Sequence, residues 1–212
     1  MQAPRLRVGF FADVTHITDV PEKLDLAGHH VTLLHDPQEI EDYELIVIES
    51  DNVEGFVEKL AAFAHRGQMF LHTSLTHNIT VMDPLETAGG IVMSAHPIGQ
   101  DRWVVSSVDE LGETIVGLLV GEMGGSIIEI TDAQRPELAA ALAYAKMLAS
   151  LRFDATSYLN EFLGDIQIAD DLVRGAEVSL RPDLSHYDAI RDPNRKQLFR
   201  DMAQWATQKE NR

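Results

Sequence analysis

The chain has no cysteine among its 212 residues. A disulfide framework, a thiolate metal site and a cysteine nucleophile are all excluded, and a reducing compartment is the natural expectation. Basic residues are scarce: 17 Lys and Arg stand against 34 Asp and Glu, a formal charge of −17. A nucleic-acid grip needs a basic face, and anionic lipid repels an acidic surface, so neither partner is expected. Small anionic ligands stay open, because they feel the local field rather than the net charge. No stretch approaches the ~20 apolar residues of a membrane span. The opening MQAPRLRVGFFADV has no apolar run followed by a small-residue cleavage site. The expectation is a soluble cytoplasmic protein whose partner is a small molecule. Two catalytic signatures are missing as well: the G-x-S-x-G elbow of α/β-hydrolases and the G-x-x-x-x-G-K-S/T phosphate loop.

Apolar residues make up 45% of the chain, enough for one large core or two small ones; at this size roughly 70% of the unfolded surface can be buried. The first half alternates short apolar runs with helical patterns. Leu6–Phe11, Val31–Leu34, Leu45–Ile48, Met69–Leu71, Ile91–Ser94, Trp103–Val105 and Ser126–Ile130 read as strands. Their near-continuous hydrophobicity suits a sheet covered on both faces. Val53, Phe56, Val57, Leu60 and Phe63 recur at helix spacing, with Asp51 or Asn52 as N-cap and Gly67 as a natural C′ residue. Leu111, Ile115, Leu118 and Leu119 mark a second helix, and Gly124-Gly125 its exit. Strands alternating with helices imply a Rossmann-like, doubly wound, mainly parallel α/β sheet.

After Ile130 the rhythm changes. Thr131 or Asp132 can cap a helix, Pro136 suits its first turn, and Glu137–Leu163 holds only helix-compatible residues. Further helical stretches span Ile166–Ala176 and Arg195–Gln208, with Pro182 and Pro193 between them. The expected division is an α/β domain over residues 1–131 and an all-helical region over 132–212.

Strand, tight turn, helix, strand, acid is the order of a dinucleotide site. The order is present and the glycines are not. Where G-x-G-x-x-G should stand, the chain reads Ala12-Asp13-Val14-Thr15-His16-Ile17. Val14 sets a branched Cβ where a diphosphate must approach. An inward Asp13 carboxylate about 4 Å from a phosphate costs roughly 4 kcal/mol, nearly a thousandfold in affinity. The following helix also looks short, since Asp19-Val20-Pro21 intrudes. Either the loop is a modified cofactor loop or the scaffold has lost the usual dinucleotide pose. Asp36, after the second strand, stands where an acid accepts from a ribose hydroxyl and selects NAD over NADP; the alternative is that Asp36-Pro37 only opens a turn. Ala12, Asp13, Val14, Asp36, Ser50 and Thr73 are the candidate cofactor contacts. Most of the acidic residues near Asp36, Glu49 among them, read as solvated surface.

Ligands in such sheets sit at the carboxyl ends of the strands. His72-Thr73-Ser74 and His96-Pro97 end the fourth and fifth strands. His96 can take a proton near neutral pH and Ser74 can assist, a pair able to polarise a hydroxyl whose carbon gives up hydride. The plain alternative is that Ser74 caps a turn and His96 satisfies backbone groups. No carboxylate shows ligand spacing with His72, His77 and His96, so no metal is expected.

These pieces in this order resemble the 6-phosphogluconate dehydrogenase-like superfamily, in particular its prephenate dehydrogenase and pyrroline-5-carboxylate reductase branch. Arg7–Phe11, Ala27-Gly28-His29-His30-Val31, Tyr43–Ile48, His72-Thr73-Ser74, His96-Pro97-Ile98, Gly124-Gly125-Ser126 and the helix from Arg135 carry the resemblance. It implies a nicotinamide cofactor over the first-strand loop, where this sequence departs from the family. It implies His96 as acceptor from the substrate hydroxyl with Ser74 assisting, and a homodimer built by the helical region. Arg135, Arg152 and Arg174 are available for a substrate carboxylate. The expected activity is NAD-dependent dehydrogenation of a small hydroxy or imino acid with a degenerate dinucleotide loop, so that NAD binds weakly or not at all. The alternative is a cofactor-free pseudoenzyme, binding a metabolite or partner on the same scaffold; a third is a non-redox enzyme using the His96 crevice alone.

Overall fold

The computed structural model describes residues 5–12, 18–176 and 184–210. Asp13, Val14, Thr15, His16 and Ile17 lie outside the described residues, and so does Pro182. Seven strands form one sheet: β1 Arg7–Ala12, β2 His30–Leu33, β3 Leu45–Glu49, β4 Met69–His72, β5 Ile91–Gly99, β6 Arg102–Ser107 and β7 Ser126–Ile127. Their order is β2-β1-β3-β4-β5-β6-β7. All neighbours run parallel except β5 and β6. The strand order reverses between β1 and β3, and Ala12 pairs with Glu49 across that switch point.

Each face of the sheet has its own core, as period-2 alternation of fully buried strands requires. Val8, Phe10, Val47, Leu71 and Met93 pack under Val20 and Leu24 of α1 (Val20–Leu26) and Val116, Leu119 and Val120 of α4 (Glu110–Glu122). Ile46, Ile48, Phe70 and Val92 pack under Val53, Val57 and Leu60 of α2 (Val53–Leu60), with Leu85 of α3 (Asp83–Thr87). This is the doubly wound arrangement expected. Asn52 is the N-cap of α2, its side chain accepting from Gly55 N. The helix stops at Leu60, earlier than expected, because Phe63 N and Ala64 N both turn back onto the Leu60 carbonyl. Gly67 keeps a left-handed backbone (φ +83°) in the turn beyond.

Three further differences have local causes. Pro21 does not interrupt α1 but opens it, at the second helical position where its missing N–H is tolerated. The fifth strand does not end at Ser94: β5 continues through His96 to Gly99 and returns as β6. Gln100 and Asp101 turn the hairpin in left-handed conformations, as a two-residue hairpin loop demands. Beyond Ser94 no β4 residue pairs with β5, so Pro97 stands as on an edge strand. The last strand is only Ser126–Ile127 rather than 126–130. Gly125 lies so close to Trp103 that an added Cβ would stand 2.4 Å from the indole, which is why this entry to β7 needs glycine.

A 3-10 turn over Asp132–Gln134, capped by Thr131, leads into α5 (Arg135–Leu163). Contacts divide the chain into compact units at Met1–Ala145 and Lys146–Arg212, so α5 runs through the division. The second unit holds the rest of α5, α6 (Ile166–Arg174) and α7 (Pro193–Glu210). There Arg195 bonds Asp154 at 3.0 Å and Glu161 at 2.8 Å and stacks on Tyr158. Among the described residues no helix is long and apolar enough to cross a membrane.

Candidate functional site

The carboxyl ends of β1, β3, β4 and β5 carry the chemistry-bearing residues of the first unit. His96 is half-buried on β5, and its Nδ1 donates to the Thr73 carbonyl at 2.6 Å. A carbonyl only accepts, so the proton is on Nδ1 and the lone pair of the neutral ring is on Nε2. Thr73 itself is buried at the end of β4, its N–H donating to the Ile48 carbonyl. Ser74 is next in the chain, but its hydroxyl bonds His77 Nδ1 at 2.7 Å and Thr76 Oγ1 at 3.1 Å. Thus Ser74 and His96 are joined through the Thr73–Ser74 backbone rather than side chain to side chain. His77 is the partner that sequence reading missed; a Ser-x-x-His in a strand-end turn is the signal that could have found it.

Arg135, the first residue of α5, is wholly buried. Its Nη2 donates to the Ser74 carbonyl at 2.8 Å, and its Nε lies 3.6 Å from the Asp132 carboxylate. Burial pushes this guanidinium below its ordinary value, and Asp132 opposes that. Asp132 in turn accepts from Ile79 N and from the Ser106 hydroxyl. Arg135 is therefore committed to holding the Ser74 turn, and the other two arginines considered for a substrate carboxylate, Arg152 and Arg174, belong to the second unit. Beside this network a cavity of about 280 Å³ is lined by Ile79, Val105, Ser106, Glu113, Ile130 and Asp132, with Ser107 and Val116.

At the switch point the decisive group is Glu49. It is only 2% exposed, contrary to its reading as solvated surface. One carboxylate oxygen accepts from Thr18 N and the other from Thr18 Oγ1, the latter at 2.7 Å. Thr18 Oγ1 also accepts from Val20 N at 3.2 Å. Thr18 thus serves both Glu49 oxygens, and the acid is an internal partner rather than a surface charge. The strand period could have flagged it: Glu49 follows four buried residues at the end of β3. The run of acids on either side hid it.

A dinucleotide seats its diphosphate on free N–H groups at the switch point, where the helix after β1 begins. Here Val20 N is used by Thr18, Pro21 has no N–H, and Thr18 N is used by Glu49. Glu49 is seated at the start of α1, whose N-cap and first turn carry the acids Asp19 and Glu22. The described N–H groups at this helix start are thus already engaged. Ala12 ends β1 opposite Glu49. The Ser50 hydroxyl accepts from Asn52 N. Asp36 is exposed and caps the following 3-10 turn, accepting from Gln38 N at 2.9 Å. Asp13 and Val14 fall outside the described residues. Among the described residues no group of three or more His, Asp or Glu is placed to hold a metal ion.

Comparison with known proteins follows the same lines. Residues 131–212 match the family model described as 6-phosphogluconate dehydrogenase C-terminal domain-like. No curated protein matches the sequence. A "putative NADP oxidoreductase" from Bacteroides fragilis superposes with a TM-score of 0.74 at 10% identity, covering 96% of this chain and 98% of that one. Plasmodium falciparum pyrroline carboxylate reductase, with NADP bound, gives 0.60 at 13% identity over 95% and 94%. Synechocystis arogenate dehydrogenase gives 0.51 at 12% identity over 96% and 86%. At such identities the likeness is one of fold. The resemblance read from the sequence therefore stands in both parts: by sequence in the helical region, by fold along the chain.

Proposed function

We propose that this 6-phosphogluconate dehydrogenase-like chain is an oxidoreductase-fold protein that has given up the standard dinucleotide seat and binds a small polar metabolite at the His96–Ser74 crevice. The observation that carries this reading is the Glu49 carboxylate seated on Thr18 at the switch point. An internal acid holds Thr18, the first described residue after the loop that follows β1. In the crevice, the Thr73 carbonyl orients the His96 ring, which turns its other nitrogen toward the strand ends where a ligand hydroxyl would come. Ser74, bonded to His77, supplies an adjustable donor or acceptor, while Arg135 anchors the Ser74 backbone.

Titration of the purified protein with NADH and NADPH, read by nicotinamide fluorescence and by thermal shift, tests the reading. The expected outcome is no saturable signal. A bound cofactor at 100 times its Kd would add about 2.7 kcal/mol of stability, and a shift of that size would overturn the proposal.

A second reading keeps the activity: NAD-linked dehydrogenation of a small hydroxy or imino acid. The fold shared with reductases and dehydrogenases favours it, together with the fixed tautomer of His96. NADH fluorescence enhancement that saturates, with turnover lost in His96→Ala, would select it. For either reading we propose a homodimer through the helical region. The second unit exposes the large apolar side chains Met147, Phe153, Phe162, Ile166, Leu172 and Trp205, which an assembly contact would cover.

A further inference from the structure

Sheet register places His72, Ser94 and Ser106 side by side on one face, opposite one another across β4, β5 and β6. They share that face with Phe70 and Val92, so the row lies inside the sheet's covered side. His72 and Ser94 are both wholly buried. Neither ring nitrogen of His72 nor the Ser94 hydroxyl makes a well-formed hydrogen bond among the described residues, although the Ser74 backbone lies near enough to act on the His72 ring; Arg135 Nε likewise makes none. The Arg135 guanidinium spans the row from above. Its Nη1 lies 3.4 Å from Ser106 Oγ, and its Nη2 bonds the carbonyl of Ser74, two residues beyond His72.

Four buried polar atoms thus belong to one strand row and to the guanidinium that is bonded at both of its ends. Buried polar groups are almost always satisfied, and those that protein groups leave over are satisfied by enclosed water. We propose that His72, Ser94 and Arg135 Nε enclose a sealed hydration site, one or two ordered waters that complete a polar line from His72 to Asp132. The donor and acceptor balance fits water rather than an ion. Arg135 Nε–H and the single N–H of neutral His72 donate to it. The remaining His72 nitrogen and the Ser94 oxygen accept from it. An anion would satisfy the donors and leave the bare ring nitrogen without a donor. Burial next to Arg135 keeps the His72 ring neutral, which supplies that acceptor. The inference concerns the interior of the α/β unit and holds whether or not a dinucleotide binds at the switch point.

The test uses the full chain. A high-resolution crystal structure should show water density within hydrogen-bond distance of a His72 ring nitrogen and Ser94 Oγ. Oxygen-17 magnetic relaxation dispersion should report a long-lived internal water, lost in Ser94→Val, whose methyls fill the space. Ring nitrogen-15 shifts should show His72 as one neutral tautomer. Direct contact between His72 and Ser94 Oγ with no density between them would overturn the proposal. So would a dispersion unchanged by Ser94→Val, or a bromide soak giving anomalous density in the chamber. If Ser94→Val does not fold, the wild-type density and dispersion still decide.

Discussion

His72 and Glu49 are the two residues whose burial sets measurable quantities. Burial first, then the Arg135 charge and the proximity of the His77 and His96 imidazoles, push the His72 ring from 6.5 down to about 3. As the pH falls below 6.5 the unfolded chain binds a proton that the folded chain refuses. Stability is therefore unaffected above pH 6.5 and lost progressively from there to about pH 3, at about 1.4 kcal/mol per pH unit. Urea unfolding at pH 7 and pH 5 should show a wild-type loss of about 2 kcal/mol from this group that His72→Leu does not share; equal losses in both proteins would refute the assignment. Glu49→Ala leaves Thr18 N–H without its acceptor, so a destabilisation of about 1–3 kcal/mol is expected, read as a lower denaturant midpoint. An unchanged midpoint would show that the carboxylate is a bystander. Neither residue was legible as a site. A buried histidine at a strand end looks like any core residue, and Glu49 stood among acids that are mostly exposed.

At the scale of elements, the start of α5 is fixed by an ion pair between wholly buried Arg135 and partly exposed Asp132. The two tie the helix entry to the Ser74 turn, to Ile79 and to β6. Arg135→Met leaves the Ser74 carbonyl without its donor, which costs about 1–3 kcal/mol; an unchanged denaturant midpoint would show that the contact holds nothing. The strands were legible because parallel, doubly covered strands are written as short apolar runs. Asn52 and Thr131 were legible because caps have a chemical signature. The β5–β6 hairpin was not. Pro97 read as a strand end, yet with a neighbour on one side only it costs the ladder little. The pairing of Ser74 with His77 was equally hidden: spacing cannot say which of two nearby histidines a serine hydroxyl meets.

On the scale of the whole molecule, the change from alternating strands to helices was legible, because the strand rhythm ends before the long proline-free run that forms α5. The helical region offers the assembly surface proposed above. Sedimentation equilibrium should give a dimer, and Phe153→Ser combined with Phe162→Ser should shift it to monomer at least tenfold more readily. A monomeric wild type would remove the homodimer from the proposal.

The acid seated at the switch point has a consequence beyond affinity. Enzymes that depend on a loose coenzyme are held together partly by its abundance, so their lifetime in the cell follows the nutritional state that sets the pool. On the reading proposed above, a chain that carries its own counterpart on Thr18 folds to the same depth in starvation and plenty.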